Sequence, residues 1–101
     1  MASQYGIQRF NHELEAQSYD DVKSKYTPAW QESITGINRG LVIQVAKEFA
    51  QNAIDTDGRS MIIMGAGINH WFNSDTIYRS ILNLVILCGC QGVNGGGWAH
   101  Y

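Results

Sequence analysis

One run of residues governs what this chain can fold into: Ser60-Met61-Ile62-Ile63-Met64, short, mostly apolar, and ended abruptly by Gly65-Ala66-Gly67. Without polar alternation, such a run reads as a strand covered on both faces, the form found in parallel sheets. A parallel strand needs a neighbour, and the connection between two such strands normally carries a helix. No second run of this kind stands out in the 101 residues. Either the amino-terminal residues supply further strands, or the chain is a fragment of something larger; the fragment is the expectation.

The segments around the run carry helical signals. Thr27 is a good cap and Pro28 a good first helical residue, because proline's missing N–H would have no partner there. A short helix is therefore predicted over 28–35, closed by Gly36. Asn38 offers a second cap. After it Leu41, Val42, Val45, Ala46, Phe49, Ala50 and Ala53 fall on one stripe, which predicts a helix over 39–54. Asp55-Thr56-Asp57-Gly58 supplies the turn that ends it. Beyond the glycines a loop is expected through Asn69 to Asn73. Ser74 then caps a helix over 75–88, with Ile77, Tyr78, Ile81, Leu82, Val85 and Cys88 on one face and Gly89 as its stop. Residues 92–101 show neither period and read as a glycine-rich loop. Residues 1–26, polar with interspersed aromatics, read as an irregular lead-in. The fold class is thus α/β, a piece of a Rossmann-like three-layer domain with one clear parallel strand over 60–64.

Composition narrows the function. With 45% apolar and 16% charged residues and a formal net charge of −2, the chain is globular in character and has no basic footprint for a phosphate backbone, so nucleic acid is not an expected partner. The longest apolar block, Ile81 to Cys88, is too short to span a bilayer, and the amino terminus lacks the pattern of an export signal. Two cysteines, Cys88 and Cys90, are too few and too close to staple a secreted fold. A cytoplasmic location follows as the expectation.

Any chemistry is expected where the strand ends, since ligands of open α/β sheets bind beyond the carboxyl ends of the strands. Glycine there lets a ligand approach the backbone, although Gly65 and Gly67 could equally serve a tight turn. The dinucleotide fingerprint is incomplete: His70 stands at the third glycine position, and about twenty residues on, where an acidic residue should follow, the chain reads Val85-Ile86-Leu87-Cys88. Gly92 and Gly97 have the spacing of a phosphate-binding loop, but Trp98 and Ala99 replace its lysine and hydroxyl residue. Cys88 and Cys90 with His70 and His100 lack zinc-site spacing, so no metal site is expected. His12 reads as a surface residue, and no nucleophilic triad is visible, so no catalytic residue is assigned. Asn69, His70 and Trp71 could contact a heterocyclic ligand or simply hold the loop.

The longer words are more specific. Tyr26-Thr27-Pro28-Ala29-Trp30-Gln31-Glu32, Gly58-Arg59-Ser60-Met61-Ile62-Ile63-Met64-Gly65-Ala66-Gly67-Ile68-Asn69-His70-Trp71, Cys88-Gly89-Cys90 and Gly95-Gly96-Gly97-Trp98-Ala99-His100-Tyr101 together resemble an internal part of the catalytic alpha subunit of respiratory nitrate reductase. That family lies in the dimethyl sulfoxide reductase superfamily of molybdopterin oxidoreductases. The resemblance implies that residues 27–101 are part of a domain binding molybdopterin guanine dinucleotide. Gly65, Gly67, Asn69 and His70 would lie beside the cofactor, and Gly96, Gly97 and Trp98 would approach its pterin or dinucleotide arm.

The same resemblance implies a parent that reduces nitrate with bis-molybdopterin guanine dinucleotide, molybdenum and an iron–sulfur cluster. Its partners would be an iron–sulfur beta subunit and a cytochrome b subunit at the cytoplasmic face of the membrane. The family's cluster and molybdenum ligands lie in parts of the subunit absent from these words. The fragment alone is therefore expected to be inactive, to retain no cofactor, and to be able to self-associate. Two rival readings are an autonomous mononucleotide-binding module and an interaction domain whose glycines only shape the backbone.

Overall fold

A computed structural model describes residues 16–101, and the expectation for residues 1–15 lies outside them. The described chain forms two compact units that divide between Gln44 and Val45, within one long helix.

In the first unit, residues 16–26 are turns and bends. They are tied by the Asp21 carboxylate, which accepts from the Lys23 and Ser24 amides at 3.0 and 3.2 Å and from the Ser24 hydroxyl at 2.6 Å. Bonding to Ser24, foremost through its hydroxyl, holds the Asp21 carboxyl below the usual aspartate range. Helix α1 spans Pro28–Thr35 as its local signals dictate. Thr27 Oγ1 accepts from the Trp30 amide at 3.0 Å, and the left-handed Gly36 (φ 74°) closes the helix with its N–H on the Glu32 carbonyl. Helix α2 spans Arg39–Asp55. Asn38 caps it, its side-chain oxygen accepting from the Gly40 amide at 2.8 Å.

Arg39 links these pieces. Its guanidinium donates to Glu32 at 3.1 Å and to Asp20 at 3.0 Å, and its amide donates to Glu32 Oε2 at 2.5 Å. Those side-chain bonds, with the backbone bond next, hold the Glu32 carboxyl below the usual glutamate range. The sign follows: with the folded pKa depressed, the unfolded chain binds the extra proton, so this contribution is complete above the ordinary glutamate value and fades as pH falls through the folded one. Titration of the Glu32 side chain by NMR should give a midpoint below an ordinary glutamate's, and Arg39→Met should raise it. An unchanged midpoint in Arg39→Met would show that the pair carries no such linkage.

The second unit holds the end of α2, strand β1 (Met61–Met64), a one-turn helix α3 (Ala66–Asn69), helix α4 (Ser74–Leu87) and strand β2 (Gly97–His100). β1 and β2 pair in parallel, with Met61 opposite Gly97 and Met64 opposite His100. The glycine-rich loop expected over 92–101 is thus a loop only as far as Gly96. Its last residues gain strand geometry from β1 rather than from their own pattern, because strand formation depends strongly on the neighbour available. The ladder continues past both ends, from the Gly97 amide to Ser60 O at 2.9 Å and from the Tyr101 amide to Met64 O at 3.0 Å. Ser74 is likewise the first residue of α4 rather than its cap. Asn73 occupies the cap position without a side-chain bond.

The core is small: Ala53, Val85 and Cys90 are buried, with Phe49, Ile62 and Cys88 packed against them. Parallel register places Ile62, Met64, Trp98 and His100 on one sheet face and Met61, Ile63 and Ala99 on the other. The first face meets α2 and α4 through Phe49 and Val85. On the second, Ile63 is 81% exposed. The expected cover on both faces is therefore absent among the described residues, which form a mixed α/β unit of two parallel strands and helices. The α2 stripe is also open in part, with Leu41 and Val45 exposed and Ala53 buried. No helix of the described residues is long and apolar enough to cross a membrane.

Candidate functional site at the glycine turn

The carboxyl end of β1 runs straight into Gly65, which is extended (φ −145°, ψ −162°) and begins α3. Its carbonyl accepts from the Ile68 and Asn69 amides at 3.1 and 3.5 Å. The Trp71 indole N–H folds back on the Gly67 carbonyl at 2.9 Å. Asn69 is half-buried, and its side-chain oxygen is sealed from solvent without a hydrogen-bond partner. A buried acceptor left unmatched is costly and calls for a donor. His70 caps α3 through its backbone and leaves its ring side exposed.

The glycines separate by cause. Six of those described have positive φ, the left-handed region that side chains avoid: Gly36, Gly58, Gly89, Gly92, Gly95 and Gly97. Gly40 and Gly96 are crowded; a side chain on Gly96 would collide with the Gly58 carbonyl oxygen. Gly65 and Gly67 alone among the described glycines have neither constraint. A Cβ at Gly67 would meet nothing within 4 Å, and one at Gly65 would meet only Tyr101 Cβ at 3.9 Å.

The structure therefore brings Gly65, Gly67, Asn69 and His70 together but sets Gly96 and Gly97 apart. Gly97 lies opposite Met61, at the amino end of the strand pair. Three strand steps, about 10 Å, separate it from the level of His100. Trp98 lies between the two ends on the covered face, stacked on Tyr78 with ring centroids 5.3 Å apart. The Tyr78 hydroxyl and His100 Nε2 are hydrogen-bonded at 2.8 Å, and the His100 ring stands edge-on to Trp98 at 5.8 Å. This aromatic cluster beside the turn's end of the sheet was hidden from sequence reasoning by the loop assignment. Tyr78 on the apolar face of its helix was its one visible signal.

The two cysteines are free, Cys90 fully buried and Cys88 half-buried. Burial, reinforced by Cys90, pushes the Cys88 thiol above its ordinary value, so it is a poor nucleophile. Among the described residues no three histidine, cysteine or acidic side chains cluster as a metal site.

Comparison with known proteins identifies the family. The molybdopterin oxidoreductase family matches residues 13–101. The chain is 70% identical over 97 residues to the nitrate reductase alpha chain of Bacillus subtilis, and 57% identical over 98 residues to the respiratory nitrate reductase 1 alpha chain of Escherichia coli. It is 40% identical over 75 residues to the perchlorate reductase alpha subunit of Dechloromonas aromatica. These alignments cover 96%, 96% and 74% of the chain but 8% of each relative. Spanning that small share of its relatives' length, the chain belongs to the molybdopterin oxidoreductase family.

Proposed function

We propose that the chain is an internal piece of a respiratory nitrate reductase alpha chain, and that its glycine turn helps to hold molybdopterin guanine dinucleotide. One observation carries this reading: Gly65 and Gly67 are glycine at positions where neither backbone angle nor any neighbour in the chain demands it. Glycine there admits something that comes close to the backbone from outside. Both glycines lie at the carboxyl end of a parallel strand, where ligands of such sheets bind.

The residues present suit the binding and orientation of a nucleotide arm. When bound, the cofactor's molybdenum supplies the two-electron reduction of nitrate to nitrite, with two protons taken up and water released. Cluster and molybdenum ligands would come from other parts of the alpha chain. The assembled enzyme would sit with an iron–sulfur beta subunit and a cytochrome b subunit on the cytoplasmic face of the membrane.

The uncovered sheet face supports a piece that is covered in a larger body: Ile63, 81% exposed, stands on the second face of a strand whose run is apolar throughout. The purified 101-residue chain should yield no nitrite from nitrate with a reduced viologen donor, under conditions where a full-length alpha chain carrying this sequence turns over. Nitrite produced by the short chain alone would sink the reading.

A further inference from the structure

We propose that Trp71 is the stacking wall of the glycine turn, the side chain against which the planar base of the cofactor's nucleotide arm lies. This rests on the reading of the turn as a dinucleotide site.

An indole has one polar atom. In Trp71 that atom points inward, its N–H donating to the Gly67 carbonyl at 2.9 Å. The bond tethers the ring beside the glycine on whose Cβ side nothing stands within 4 Å. With the polar atom satisfied by the backbone, what remains in water is apolar ring: Trp71 is 68% exposed. Phe72 next to it is fully exposed, but lacks any polar handle that could fix its ring. Trp71 is thus the one aromatic of that loop held in a defined place.

A tethered aromatic plane favours a planar heterocycle, since every nucleobase offers a face to stack. The open side of Gly67 leaves room for such a plane to lie close to the backbone beside the indole.

The test compares variants of the full-length alpha chain by the nucleotide released on acid treatment, counted per folded protein, with thermal unfolding followed in parallel. Trp71→Phe keeps a ring but loses the tether that fixes it, so guanine content should fall about two- to threefold, less than when the ring is removed. Trp71→Leu removes the plane, and guanine content should fall about fivefold or more, the low end for a base–aromatic stack. Trp71→Met, of similar bulk without a plane, replaces the leucine variant if that one does not fold. A purely structural role would lower the melting temperature of all three variants and leave the guanine content of the folded fraction unchanged; that result overturns the stacking role. If Gly67→Val sheds the nucleotide while Trp71→Leu and Trp71→Met keep it, the turn is a site and Trp71 is not its wall. If Gly67→Val keeps it as well, the reading of the turn itself falls.

Discussion

Replacing Gly96 with alanine is expected to unfold most of the second unit, with an expected cost of roughly 3 kcal/mol, at the upper end of what overpacking a well-filled site takes. The new methyl group would fall on the Gly58 carbonyl oxygen and within 2.9 Å of the Cys90 carbonyl. Neither obstacle is the movable tip of a side chain. Gly58 cannot withdraw: it sits at φ +90°, and its own Cβ side is 2.5 Å from the Gly89 carbonyl. Cys90 is a core residue whose amide is bonded to Val85 O at 2.9 Å. The turn after α2, the turn after α4 and the entry to β2 therefore meet as bare backbone. The strain would be relieved by lifting β2 from β1, which breaks the bond from the Gly97 amide to Ser60 O and opens the face over Ile62. A unit this small has few kcal/mol to lose. Urea unfolding followed by circular dichroism and by fluorescence in a Trp30→Phe, Trp71→Phe background, which leaves Trp98 stacked on Tyr78 as the one indole, should show the loss. A midpoint unchanged from wild type would mean that the three turns are not packed as described.

That contrast also shows what the sequence could and could not carry. The first helix was legible because its determinants are local: a hydroxyl at Thr27, a ring at Pro28 and a left-handed glycine at Gly36 act within four residues of the groups they satisfy. The body of α2 and the run that became β1 were equally plain. The second strand was not, because Gly97-Trp98-Ala99-His100 has no pattern of its own and becomes a strand only through the parallel edge of Met61–Met64, more than thirty residues earlier. The open sheet face escaped notice for the opposite reason. Met61 and Ile63 are written as buried residues, and what would cover them is not among the described residues.

The site followed the same division. All four site glycines looked alike as letters. Only the meeting of the Gly58 and Gly96 backbones shows that Gly96 is glycine for packing, and only the empty space at Gly67 shows that it is not. Trp71 and Trp98 were similarly indistinguishable until one was found tethered at the turn and exposed, the other half-buried and stacked between the ends of the strands.

Gly67→Val should then do the reverse of Gly96→Ala, leaving the fold intact and emptying the site. Valine's Cβ meets no atom of the chain, and Gly67 lies inside α3 without positive φ. Glycine is the weaker helix former of the two, so stability should be unchanged or raised by a few tenths of a kcal/mol, about the difference in intrinsic propensity. The branched side chain would instead fill the space over the turn, holding an incoming nucleotide arm away from the backbone and from Asn69. In the full-length alpha chain this should cut bound guanine nucleotide and molybdenum about tenfold or more, with nitrate reduction per folded protein falling in step, because loss of close approach removes several contacts at once. The decisive comparison is the ratio of cofactor lost to stability lost: large for Gly67→Val, and near one for a substitution that merely disrupts the unit. A variant that keeps its cofactor while melting early would return Gly67 to the ordinary work of shaping a turn.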